Sequence, residues 1–145
     1  MVKFIILCFF LILNGCSTIK KDVVDCPTVI APKKAAEVVL KSENKLPVYI
    51  GLRGIKSYCN KEDDNIEMEI SVNVRAIRKD TKIEDFVPVN ISLVSTDLNN
   101  KEYDRDDFTY SQFLLRGSKI VDRVTTFDLK IPYGGQVFLG IKWLN

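Results

Sequence analysis

Eleven consecutive residues, Ile66-Glu67-Met68-Glu69-Ile70-Ser71-Val72-Asn73-Val74-Arg75-Ala76, place an apolar side chain at every second position and a polar one between. Successive side chains of a strand point to opposite faces, so this period belongs to a strand with one face buried and one in water. A helix would scatter the same residues around its circumference. The pattern recurs: Val87, Val89, Ile91 and Leu93 alternate with Pro88, Asn90 and Ser92, and Phe127, Leu129 and Ile131 form a third run. Val137, Leu139, Ile141 and Trp143 form a fourth. Val48, Ile50 and Leu52 open the series in a strand that runs toward Cys59, and the less regular, acidic stretch from Tyr103 to Leu115 reads as an edge strand.

Turn signals fall between the runs. Lys61-Glu62-Asp63-Asp64-Asn65, Asp97-Leu98-Asn99-Asn100, Arg116-Gly117-Ser118 and Tyr133-Gly134-Gly135 supply the Asn, Asp and Gly that reach positive φ at low cost. Gly51-Leu52-Arg53-Gly54 interrupts an apolar run and marks a bulge or bend. Six or seven short strands with this spacing predict an all-β fold, an antiparallel immunoglobulin-like β-sandwich over residues 47–145. No run of helices is present to cover a single sheet, so two sheets must cover each other.

At 145 residues one such domain is the natural count. The 21 basic and 19 acidic side chains leave a formal charge of +2, which provides no electrostatic drive toward nucleic acid. The absence of histidine removes the Ser-His-Asp triad, the Cys-His dyad and imidazole metal ligands. No serine sits in a nucleophile-elbow frame and no Gly-rich phosphate loop follows a strand, so no cofactor is expected.

Met1-Val2-Lys3 precedes ten residues, Phe4 to Leu13, without a polar side chain. A helix of that length rises about 15 Å, half of a bilayer core of roughly 30 Å, which suits the apolar region of a secretory signal rather than a spanning anchor. Leu13-Asn14-Gly15-Cys16 then reads as a lipobox: an aliphatic residue, a tolerant position, a small residue and a thiol that receives a diacylglycerol. Residues 1–15 are thus expected to be a lipoprotein signal peptide. Acylated Cys16 is expected to anchor the chain in a bilayer, because each buried CH₂ contributes about 0.8 kcal/mol. Ordinary cleavage leaving Cys16 as a free thiol is the alternative. Ser17, where an Asp would favour inner-membrane retention, points to the outer membrane facing the periplasm. Residues 16–46 read as a tether with a short helical segment, one or two turns within Ala31 to Lys41, where Pro32 precedes Ala, Glu, Leu and Lys.

Of the four cysteines, Cys8 leaves with the signal and Cys16 takes lipid. Cys26 and Cys59 remain, an even pair in an exported chain, and a disulfide is the default.

Glu102, Asp104, Asp106 and Asp107 are the strongest candidates for chemistry, as a cation site or as paired carboxylates. An EF-hand frame begun at Asp97 fails, because Glu102 stands where Gly is needed and Phe108 where Glu is needed. On a strand Glu102, Asp104 and Asp106 would share one face, the arrangement of a charged edge that resists edge-to-edge pairing. Phe108, Tyr110, Phe113 and Tyr103 read as core packing or as an exposed partner surface.

Leu13-Asn14-Gly15-Cys16, Asp25-Cys26-Pro27, Gly54 followed by Tyr58-Cys59, and Val137-Phe138-Leu139-Gly140-Ile141 together resemble the layout of small uncharacterised alphaproteobacterial lipoproteins. The resemblance implies an exported all-β lipoprotein and brings no activity with it. The expectation is a non-catalytic envelope protein, anchored in the bilayer through Cys16, that binds another envelope protein or supports envelope assembly. A cation- or ligand-binding module on the Glu102–Asp107 edge is the alternative, and a carboxylate-based hydrolase the third.

Overall fold

The computed structural model describes residues 22–143. Its elements in chain order are β1 (Asp22–Val23), β2 (Val29–Ile30), one helical turn α1 (Lys33–Ala36), β3 (Glu37–Lys41), β4 (Pro47–Glu62), β5 (Asn65–Arg78), β6 (Asp85–Thr96), β7 (Glu102–Leu114), β8 (Ile120–Pro132) and β9 (Gln136–Lys142). They form two sheets packed face to face, an all-β sandwich.

The first sheet grows from one long hairpin. β4 and β5 pair from Val48 beside Arg78 to Glu62 beside Asn65, joined by a turn in which Asp63 takes a φ of 39°. The predicted irregularity near Gly51-Gly54 is a bulge between Leu52 and Gly54, which leaves Arg53 without a partner on β5. β8 adds antiparallel to the far side of β5. Two short strands share the other side of β4: β3 beside residues 47–51 and β1 beside Asn60 and Lys61. The second sheet runs β2-β9-β6-β7, with β2 parallel to β9 and the other pairs antiparallel.

The alternation of β5 becomes burial: Met68, Ile70, Val72, Val74 and Ala76 are at most 3% exposed, facing Val87, Val89, Ile91, Leu93, Val137 and Leu139 of the second sheet. Phe127 on β8 is the largest fully buried side chain. Each such residue contributes roughly 1.5–3 kcal/mol relative to exposure, so the stacked faces dominate stability.

Two ions extend the inward-facing rows. Arg78 stands two positions beyond Ala76 and is 4% exposed. Its guanidinium donates to the carbonyls of Ile83, Leu114, Leu115 and Ser118, tying the loops on either side of it to the end of β5. Asp85, two positions before Val87, is 2% exposed and accepts from the backbone N–H groups of Phe86 and Asn44 at 2.8 and 3.3 Å. Together with Glu43 N–H donating to Phe86 O, this fastens the β3–β4 turn of one sheet to β6 of the other.

The expected short helix is present as a single turn, but the rest of the segment expected as a tether departs from that reading. Among its described residues Lys33–Ala36 alone is helical, and Glu37–Lys41 pairs with β4 as a strand. Val38 and Leu40 are buried while Val39 is exposed, so burial of a period-two face overrides the helix propensity of Ala, Glu, Leu and Lys. The sheets therefore take in residues from Asp22 onward, ahead of the expected boundary at Pro47. The Cys26–Cys59 disulfide is present, with Cα atoms 5.3 Å apart, and pins this segment to β4.

Candidate functional site

The acidic run of β7 lies where the two sheets meet edge to edge. β7 is the outer strand of the second sheet and β8 of the first. The register of β7 on β6 slips between Ser95 and Thr96, so Thr96 opposes Glu102 while Ser95 opposes Asp104. That bulge moves Glu102 off the face it was expected to share with Asp104 and Asp106, because one extra residue reverses every side chain before it.

Asp104 and Asp106 turn inward, toward β8. The Lys130 N–H donates to Asp104 Oδ2 at 2.8 Å and the Asp128 N–H to Asp106 Oδ2 at 3.1 Å. Ser95 Oγ donates to Lys130 O at 2.6 Å. These side chains bond the backbone that a neighbouring strand would otherwise bond, and so cap the edge of β8. Further along the seam Phe108 meets Phe127 edge to face at 6.3 Å. The Arg123 guanidinium lies 4.4 Å from the Tyr110 ring centroid. Burial pushes the Tyr110 phenol up to about 12.

Glu102 and Asp107 face the other way and build an ionic network. Arg105 bonds both Glu102 oxygens at 2.6 and 3.0 Å and reaches Ser92 Oγ at 2.7 Å. Lys142 Nζ donates to Asp107 Oδ2 at 2.7 Å. The bond from Arg105 holds the Glu102 carboxyl below the usual range. Burial pushes the Asp107 carboxyl up, but its bonds with Lys142 and Ser92 outweigh that and leave it lowered. A general acid needs the opposite shift, and these side chains are already engaged. Among the described residues no group of three or more His, Cys, Asp or Glu side chains is placed to hold a metal ion.

The other expected residues separate. Cys16 lies outside the described residues. Phe108 and Tyr110 pack against the core, whereas Tyr103 and Phe113 are exposed, so the aromatic run divides between its two readings. Phe113 pairs with Phe86 at 4.7 Å. On the solvent side of the first sheet Tyr58, Glu69 and Asp128 lie abreast, as do Asn60, Glu67 and Lys130, and line an open groove of about 410 Å³ with Asp104.

One feature was not anticipated. β4 carries β3 at one end and β1 at the other, but from Leu52 to Tyr58 no strand among the described residues pairs with its outer edge. Residues 53–58 are all exposed, with Ile55 at 41% and Tyr58 at 51%. The gap arises because the chain leaves β4 after Val24, crosses to β9 as β2, and returns as β3. No sequence period marks such an excursion, since β1 and β2 are two residues each.

No protein-family model, curated protein or solved structure matches the chain.

Proposed function

We propose that the chain is a membrane-anchored envelope lipoprotein of non-catalytic type, held to the bilayer by acylated Cys16 and binding another envelope protein through its sandwich. In this reading it belongs with the small alphaproteobacterial lipoproteins it resembles, faces the periplasm from the outer membrane, and has an immunoglobulin-like arrangement in which β4-β5-β8 faces β9-β6-β7.

The observation that carries the reading is a contrast between two edges. The side chains of Glu102, Asp104, Asp106 and Asp107 are committed to guanidinium, ammonium or backbone partners, whereas the backbone of β4 from Leu52 to Tyr58 lacks a strand partner among the described residues. Carboxylates used to close the fold are poorly placed for catalysis, and an unpaired strand edge is a ready surface for another chain. The lipobox and the bridged cysteine pair agree with an exported, tethered location.

Mass analysis of the membrane-extracted protein tests the anchor. Acylation is expected at Cys16, and Cys16→Ala is expected to leave unprocessed precursor; normal acylation in that variant overturns it. In-cell crosslinking from the sandwich surface, followed by identification of the captured protein, tests the binding role. Calcium is expected to leave thermal stability unchanged, and a clear rise in Tm would favour a cation-binding module instead.

A further inference from the structure

We infer that the unpaired stretch of β4 is a slot for a single extended peptide segment of a partner protein, which adds to the first sheet between β3 and β1. The inference rests on the binding role proposed above and specifies its chemistry.

The lane beside β4 is filled by Glu37–Lys41 up to Gly51 and by Asp22–Val23 from Asn60 onward. Between them lie eight residues, of which Cys59 already accepts from the Val24 N–H, so seven, Leu52 to Tyr58, remain open, a length of roughly 24 Å in extended backbone. Both ends are fixed. The Cys26–Cys59 bridge and the Val24 N–H bond to Cys59 O hold one. Arg53, bonded to Glu37 Oε1 at 3.0 Å and to the Tyr49 hydroxyl at 2.8 Å, holds the other. A slot already shaped in the free protein costs less to fill than one that must form.

The closed ends select the occupant. A second copy of this chain meeting edge to edge would bring its own β1 and β3 into lanes already occupied, so a folded sheet edge is excluded. A flexible segment that enters the lane and arches out again is not, and the chain's own path between Val24 and Glu37 makes that same departure and return. The side chains select further. Ile55 stands opposite the fully buried Val72 on the core-facing side, yet is 41% exposed, so an apolar side chain on the added strand would complete the core there. Lys56 points to the solvent side opposite Ser71, and no ion pair within 4.0 Å engages it among the described residues. The favoured segment therefore alternates apolar side chains inward with acidic ones outward, bound through main-chain hydrogen bonds.

The test uses the full chain in detergent micelles and a synthetic seven-residue peptide alternating valine with glutamate and threonine, with an N-methylated version as control. Amide hydrogen exchange within residues 53–58 is expected to slow about tenfold or more with the peptide and to be unchanged with the N-methylated one. Lys56→Glu is expected to weaken the acidic peptide about tenfold and to strengthen a lysine-containing counterpart. Absence of protection at millimolar peptide, protection confined to other strands, or equal binding by the N-methylated peptide would each overturn the inference. So would concentration-dependent protection of residues 53–58 without peptide, which identifies a second copy as the occupant. If in-cell crosslinking maps a partner to another face, the slot is excluded while the binding role stands.

Discussion

The main-chain N–H of Lys130 points away from its own sheet and donates to the Asp104 carboxylate of the opposing sheet at 2.8 Å. With Asp106 doing the same for Asp128, two acidic side chains stand in for a strand along β8. Asp104→Ala is expected to remove this bond and to lower stability by about 0.5–1.5 kcal/mol in urea denaturation. The double substitution with Asp106→Ala is also expected to raise aggregation, because it uncovers the β8 edge. Unchanged stability and solubility in the double variant would contradict the capping role.

Arg78→Met removes a buried cation that serves four carbonyls. The expected loss is roughly 3 kcal/mol or more, since bonds to a charged group contribute about 1.5–3 kcal/mol each and the freed acceptors sit in tight loops. Arg78→Lys is expected to recover little of it, because an ammonium cannot reproduce the planar fork. Chemical denaturation of both variants checks the point.

Asp85 links stability to acid. Burial pushes its carboxyl up, but the Ser42 hydroxyl and the backbone N–H groups of Phe86 and Asn44 outweigh that, leaving it below its ordinary 3.8. A group depressed in the folded state stabilises above its unfolded pKa and loses that contribution as pH falls through the folded value. Stability is therefore expected to decline as pH drops below 3.8, and Asp85→Asn to be less stable at neutral pH with a shallower acid limb. A variant whose pH profile parallels the parent's would sink this assignment.

The Cys26–Cys59 bridge spans a sequence separation of 33. Replacing both cysteines by alanine is expected to cost about 3–4 kcal/mol on chain-entropy grounds. Urea midpoints of the oxidised parent, the reduced parent and the double variant measure it, and the last two are expected to coincide.

How far the fold was legible follows from where its period was long. The row from Ile66 to Ala76 needs only one sheet face to explain it, and β4, β6, β8 and β9 were readable for the same reason. In β3 the alternation lasts five residues, too short to outweigh an Ala-Glu-Leu-Lys composition that favours helix. Arg78 and Asp85 were detectable in principle, since each continues an inward row by one more step. Period two alone puts Glu102 on the face of Asp104, and the bulge changes that parity without any residue that announces it. The edge-capping role of Asp104 and Asp106 depends on two sheets meeting, which no local pattern encodes. The excursion through β2 that opens the slot on β4 is equally non-local.

That excursion also orders events in time. Val29 of β2 lies beside Val137 of β9, so the second sheet joins segments from opposite ends of the described chain. Contacts this distant form late, because the intervening loop must close first. The β4–β5 hairpin and the adjoining β1 are local enough to bring Cys26 and Cys59 together beforehand. The bridge would then hold β2 near its destination and shorten the remaining search. Pulsed thiol trapping is accordingly expected to show the cysteines protected before the amides around Val137, and the reverse sequence would place the closing of the second sheet first.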